Sequence, residues 1–216
     1  MVYVFDAYGT LWDLTPIQAA AVDVAGVSVS GEFLDLWRRK QLEYAFLRTI
    51  MDHYEPFSRV TADALEYVLS AYQLTPSEEE KAALLDAWNC PAAFADAIET
   101  LGQLEGHQRV ILSNGDLDML RRGVEYSALT PYLDGVFSVD SVQRFKPHPA
   151  AYQVILDALN VPLGEVVFVS ANGWDAAGAA KFGFRVIWIN RAHLPVERLS
   201  VVPWKVVSSL REAAEG

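Results

Sequence analysis

An aspartate closes an apolar run in Val2-Tyr3-Val4-Phe5-Asp6-Ala7-Tyr8-Gly9-Thr10-Leu11. A carboxylate at the C-terminal tip of a buried strand stands where an open α/β sheet presents its reactive groups. The Gly9-Thr10 pair suits a tight turn that holds this carboxylate clear of the sheet. Type and place together suggest a nucleophile, because a positioned carboxylate can form a covalent ester. Three further segments carry groups that could work with it. Leu112-Ser113-Asn114-Gly115 ends in hydroxyl and amide donors, and Phe145-Lys146-Pro147 holds a lone cation before a rigid residue. Phe168-Val169-Ser170-Ala171-Asn172-Gly173-Trp174-Asp175 runs into a loop with a second acid. Read singly, acids and amides at strand ends are common helix caps. All four in this order along one sheet edge point to a catalytic centre.

Apolar, β-branched runs at residues 2–5, 109–112, 135–139, 166–169 and 185–189 read as buried parallel strands. Helical patterns over 92–104, 117–127, 149–159 and 176–182 lie between them. This alternation predicts an α/β fold, a Rossmann-like doubly wound parallel sheet. Right-handed crossovers then bring the strand C-termini to one edge. The stretch 15–89 departs from the pattern, with few strand signals and helical periodicity over 33–47, 61–72 and 77–88. Thr75-Pro76-Ser77-Glu78 opens the last of these with a cap and first-turn acids. The expected organisation is a core domain of residues 1–14 plus 90–216 and a helical cap domain of 15–89, inserted after the first strand. Such an insert sits over the carboxyl edge, where a lid excludes water.

Length and composition fit one large domain or a core with an insert: 216 residues, 52% hydrophobic and 21% charged. A formal net charge of −11 argues against nucleic-acid or anionic-membrane partners, which it would repel. An anionic substrate would need a local positive site. Cys90 is the single cysteine, so an internal disulfide or multi-cysteine metal site is excluded, and a small core residue is expected. The four histidines lack ligand spacing, and no glycine-rich phosphate or dinucleotide loop is present. Met1 leads into a strand without a basic flank, and no apolar run nears the ~20 residues that span a bilayer. These features predict a soluble, cytoplasmic protein.

The four segments resemble the haloacid dehalogenase superfamily, and more closely its (S)-2-haloacid dehalogenases. The likeness runs from Val4 to Trp188-Ile189-Asn190-Arg191 and includes Leu36-Trp37-Arg38 and Lys40-Gln41-Leu42-Glu43-Tyr44 of the insert. Two departures from the superfamily's phosphatases matter. Those enzymes usually carry an aspartate two residues after the nucleophile to protonate a leaving alkoxide, where this chain has Tyr8. They also use acids near the fourth segment to hold Mg²⁺, where this chain has Asn172 and keeps only Asp175. A halide leaves without a proton and needs neither.

The resemblance implies displacement of halide from a 2-haloacid by Asp6, then hydrolysis of the resulting ester, with no metal or other cofactor. It places Ser113 and backbone N–H groups, Ala7's among them, on the substrate carboxylate, with Lys146 supplying positive charge and keeping Asp6 ionised. Arg38 and Asn114 take the halide-cradling roles. Asp175 activates water together with Asn172, Ser170 and Thr10, and Tyr152 fills a further polar position. Tyr8, Leu42, Phe57 and Trp174 form the apolar pocket, and Arg39 lines it. By itself Arg38-Arg39-Lys40 reads as a solvated helical face. The family also implies a homodimer. The alternatives are a Mg²⁺-dependent phosphatase of the same fold, acting on a small phosphate ester, and a non-catalytic binding module.

Overall fold

The axis of the sheet is β1 (Val2–Phe5), buried because helices cover both of its faces. The computed structural model describes residues 1–26 and 28–214. Six parallel strands run in the order β5 (Gly135–Ser138), β4 (Gln108–Ser113), β1, β6 (Val166–Ser170), β7 (Arg185–Ile189), β8 (Lys205–Val207). The chain winds outward from β1 in both directions, so the switch point where such sheets bind ligands lies at β1. Strands covered on both faces need continuous rather than alternating apolar residues. β6, Val-Val-Phe-Val-Ser, is buried at every position. The predicted strands therefore recur within about a residue, and of the six strands in this sheet only β8, three residues long, lies outside the prediction.

One predicted helix changes type at its start. Instead of a helix over 92–104, Ala92–Ala93 forms β3, antiparallel to β2 (Trp12–Asp13), and helix α5 spans Ala97–Gln103. Phe94 N–H donates to the Leu11 carbonyl at 2.9 Å, so pairing with a distant segment overrides the local pattern. The other core helices, α6 (Leu117–Tyr126), α7 (Pro149–Leu159) and α8 (Gly173–Phe182), match expectation closely, and α9 (Arg211–Ala214) is a short addition. Cys90 is half-buried beside Asp86 rather than in the core.

Between β2 and β3 lie α1 (Thr15–Ala25), α2 (Ser30–Ile50), α3 (Phe57–Tyr72) and α4 (Glu78–Asp86). The expected cap on α4 is present: Glu80 N–H donates to Ser77 Oγ at 3.2 Å and Ser77 N–H to Glu80 Oε2 at 2.7 Å. On α3, buried Phe57, Val60, Thr61, Ala64, Leu65, Val68 and Leu69 fall at helical spacing and form the face packed on α2.

An aromatic chain ties this helical insert to the loop after β1. Tyr8 contacts Trp12 and Trp88 with centroids 5.0 and 5.5 Å apart, and Trp88 meets Trp37 at 5.5 Å. Such pairs contribute about 0.5–1.5 kcal/mol each beyond area burial. Polar contacts fix the opposite side of the insert. Asp116 accepts from the Phe57 and Ser58 N–H groups at the start of α3, at 2.5 and 3.1 Å. Tyr54 donates to Asp140 at 2.6 Å, and Arg144 pairs with Asp52 at 2.6 Å.

Candidate active site

The ladder from β1 ends where Asp6 N–H donates to the Val169 carbonyl at 2.9 Å. Beyond it the Ala7 carbonyl accepts from Thr10, Leu11 and Trp12, and Gly9 adopts φ +83°, which glycine takes without steric cost. This compact turn leaves the Asp6 side chain at the sheet edge. Phe5 lies opposite both Ile111 and Val169, so Asp6 falls level with Leu112 and Ser170 at the sheet edge, and Ser113 stands one residue further out along β4.

Every neighbour that Asp6 hydrogen-bonds is a donor. Oδ2 accepts from Asn172 Nδ2 at 2.7 Å, from Thr10 Oγ1 at 3.1 Å, and lies 3.5 Å from Ser170 Oγ. Oδ1 accepts from Lys146 Nζ at 3.2 Å. The other Asn172 amide hydrogen reaches the Tyr8 carbonyl at 3.2 Å, and Thr10 Oγ1 is itself oriented by Ala171 N–H at 2.8 Å. Lys146, only 1% exposed, also reaches Asp175 Oδ2 at 3.0 Å, so one ammonium bridges two carboxylates. The Lys146–Pro147 peptide is cis. Asp175, with no exposed surface, further accepts from Ser170 Oγ at 3.1 Å and from Tyr152 Oη at 2.8 Å.

Burial disfavours charge on Lys146, but Asp175 and Asp6 outweigh it and hold its pKa above the ordinary lysine value. Asp175 is raised to about 6, first by burial and further by the Asp6 carboxylate, against the opposing pull of Lys146 and Tyr152. Burial pushes the Tyr8 phenol well up, and its hydroxyl donates to the Trp88 carbonyl at 2.8 Å. Tyr8 is therefore a wall and not an acid.

Asp6, Ser113, Asn114, Asn172 and Arg38, together with Tyr8, Leu42, Phe57 and Trp174, line a cavity of about 20 Å³. That volume is room for about one water, so the insert is closed over the reactive groups. Larger grooves of about 460 and 440 Å³ lie behind Trp174 and Pro147 and carry no carboxylate. Of the two acids Asp6 lines the small cavity, and Asp175 is buried behind it, joined through Lys146 and Ser170. Asn114 is held by Lys146 N–H donating to its Oδ1 at 2.9 Å, and Ser113 Oγ accepts from Gly115 N–H at 3.3 Å. Arg38 comes down from α2, donating to the Tyr8 carbonyl at 3.4 Å with its guanidinium 5.6 Å from the Trp88 ring centre. Burial lowers its pKa, although Asp6 and Tyr8 favour its charge.

Three expected substrate contacts stand apart: Lys146 reaches Asp6 without lining the small cavity, and Arg39 and Ala7 also lie outside it. Arg39 is exposed and does not line the cavity, because one residue along α2 turns a side chain by about 100° from Arg38. Ala7 is buried away from the cavity lining, and what it can offer a ligand is its backbone N–H. The structure adds Gln41 and Asp116, which no motif singled out. Gln41 stands three residues after Arg38 and receives its Nη1 at 3.2 Å, a helical-neighbour spacing that was legible in principle. Among the described residues, no three His, Cys, Asp or Glu side chains are grouped to hold a metal ion.

A doubly wound sheet with an aspartate at its switch point, a lysine between two acids and a helical insert overhead defines the class of haloacid dehalogenase-like hydrolases. The model of that family matches residues 1–183. Within it the chain is 42% identical over 212 residues to (S)-2-haloacid dehalogenase 1 of Pseudomonas sp. (strain CBS-3), covering 97% of this chain and 92% of the relative. L-2-haloacid dehalogenase from Xanthobacter autotrophicus superposes with a TM-score of 0.94 at 35% identity, covering 100% of this chain and 98% of that one. A structure of the same enzyme with chloropropionic acid covalently bound gives 0.93, again at 35% identity and with the same coverage. The chain belongs to the (S)-2-haloacid dehalogenase family of these hydrolases.

Proposed function

We propose that the protein hydrolyses short-chain (S)-2-haloalkanoic acids to (R)-2-hydroxyalkanoic acids and halide, through an ester on Asp6. The observation that carries this reading is the surroundings of Asp6. They supply donors to a carboxylate, while among the described residues no second acid lines the cavity. Tyr8, two residues on, is committed to the Trp88 carbonyl. An alkoxide leaving group would lack its proton there, whereas a halide needs none. Asn172 places an amide donor, and not a third carboxylate, between Asp6 Oδ2 and the Tyr8 carbonyl, where a cation would need anionic ligands. That donor set disfavours a Mg²⁺-dependent phosphatase.

The two oxygens of Asp6 differ, and the difference assigns their roles. Oδ2 has the Asn172 and Thr10 donors, whereas Oδ1 has only Lys146 and keeps a lone pair for attack. Oδ1 displaces the halide in line and inverts the α-carbon. Ser113 and the Ala7 N–H hold the substrate carboxylate, with Lys146 as local positive charge. The halide departs toward Arg38 and Asn114, and Leu42, Phe57 and Trp174 enclose the alkyl side. In the ester Oδ2 becomes the carbonyl oxygen, already seated against Asn172 and Thr10. When water adds to the Asp6 carboxyl carbon, those donors stabilise the oxyanion. Asp175, near pKa 6, takes the water's proton, with Ser170 and Tyr152 fixing its orientation. Collapse breaks the bond between the Asp6 carboxyl carbon and the substrate-bound oxygen, which takes the proton back from Asp175, so the hydroxy acid leaves and both carboxylates are restored.

We further propose that the chain divides into a core of 1–14 plus 90–216 and a cap of 15–89, and that the protein is a cytoplasmic homodimer. α2 carries exposed Leu47, Ile50 and, just beyond its end, Met51 that a second copy could cover. No single described helix is long and apolar enough to cross a membrane. The deciding assay is halide release from separate (S)- and (R)-2-chloropropionate with EDTA present. Release from the (S)-isomer alone, indifferent to EDTA, is expected. Silence with both isomers would overturn the reading.

A further inference from the structure

Gln41 lies one turn beyond Arg38 on α2 and is wholly buried, an unusual place for a primary amide. Leaving such a group unpaired is costly, and both of its ends are used. Its Oε1 accepts from Arg38 Nη1 at 3.2 Å, and its Nε2 donates to Thr61 Oγ1 at 2.7 Å. The Thr61 hydroxyl in turn donates to the Phe57 carbonyl at 2.7 Å. A directed chain of hydrogen bonds thus links Arg38 to Phe57, both of which line the cavity. Packing of α2 on α3 does not require it. Trp37 Nε1 already bonds the Thr61 carbonyl at 2.9 Å, and the apolar faces fill the rest. Of the two acceptors that hold the Arg38 guanidinium, Gln41 is nearer than the Tyr8 carbonyl at 3.4 Å.

We propose that Gln41 is a positioning residue for halide departure, fixing the Arg38 guanidinium where the carbon–halogen bond breaks. This rests on the dehalogenase reading above and on Arg38 as the halide's cation. Charge appears on the halogen as the bond stretches, and a fixed donor stabilises it only if it is already in place. Chloride, the poorer leaving group, depends on that donor more than bromide does. A displaced Arg38 therefore changes the preference between leaving groups. A loss of folded protein lowers both rates alike.

The test uses the full chain with (S)-2-chloropropionate and (S)-2-bromopropionate. Gln41→Met keeps the volume and removes both hydrogen bonds. It is expected to lower kcat/KM for the chloro acid on the order of 10-fold to 100-fold, as a small misplacement does. The bromo acid should lose severalfold less, so the chloro-to-bromo ratio falls. Inhibition by sodium bromide should weaken in parallel. Thr61→Val, which cuts the chain one link further away, should move the ratio in the same direction by less, and Thr61→Ser should restore it. Should Gln41→Met fail to fold, the Thr61 pair decides the question by the same ratio. Equal losses for the two halogens, or unchanged rates, would overturn the role of Gln41. Wild-type protein inert toward both acids would instead defeat the underlying reading.

Discussion

Replacing Tyr152 with phenylalanine should move the pH dependence of ester hydrolysis and not merely its size. The Tyr152 hydroxyl is buried and donates to Asp175 Oδ1 at 2.8 Å, which favours the ionised carboxylate. A hydrogen bond to a charged group contributes about 1.5–3 kcal/mol. At about 1.4 kcal/mol per pKa unit, its loss corresponds to roughly one to two units. The sign follows from which form is stabilised: without the donor the carboxylate is less stable, so the pKa rises. Asp175 starts at about 6, and in Tyr152→Phe it should titrate near 7–8 by that arithmetic. As a base it works only when ionised, so the acid limb moves to higher pH. At pH 7 the variant should be roughly two- to tenfold slower, with recovery in alkaline buffer. The assay is rapid-quench decay of the ester across the pH range, read from the intact mass of the chain, beside steady-state kcat. An acid limb at the same pH in both proteins, with a uniformly lower rate, would refute Asp175 as the titrating base under Tyr152's control.

Asp6→Asn should abolish halide release while circular dichroism and Tm stay close to wild type, since the change is nearly isosteric; retained turnover would defeat the covalent mechanism. Lys146→Met should destabilise the fold by about 3–5 kcal/mol in denaturant titrations near neutral pH, because it strands buried Asp175 beside Asp6. Asp175 already sits above an unfolded aspartate, and without Lys146 it rises further. That penalty should shrink as pH falls through the variant's raised Asp175 value toward about 6, below which folded Asp175 carries its proton with or without Lys146. A pH-independent deficit would contradict this account. Gly178→Ala would place a Cβ 2.5 Å from both Pro147 Cβ and the Tyr152 hydroxyl. It should cost about 1–3 kcal/mol by overpacking and lower kcat by disturbing the Asp175 contact, measured by thermal melts and halide release. Sedimentation equilibrium should return the mass of two chains, and a monomer at micromolar concentration would remove the dimer from the proposal.

The sequence alone determined the sheet and its reactive edge. β1, β4, β6 and β7 are buried on both faces, so their apolar runs are continuous and need no partner to be recognised. Asp6, Ser113 and Ser170 each sit at or just beyond a strand's end, and parallel register does the rest. The Ser77 cap of α4 was likewise local, written in four adjacent residues. Tertiary structure decided whatever depends on phase or on a distant partner. Helical periodicity marks α2 but not its rotation relative to the core, which is why Arg38 reaches the cavity while Arg39 faces solvent. The β2–β3 pair and the late start of α5 rest on contacts between residues about eighty apart in the chain, which no local propensity encodes. Similarly, only the folded chain sets Lys146 Nζ at 3.2 Å from Asp6 and 3.0 Å from Asp175, and with that spacing the charge balance on which the proposed roles of nucleophile and base depend.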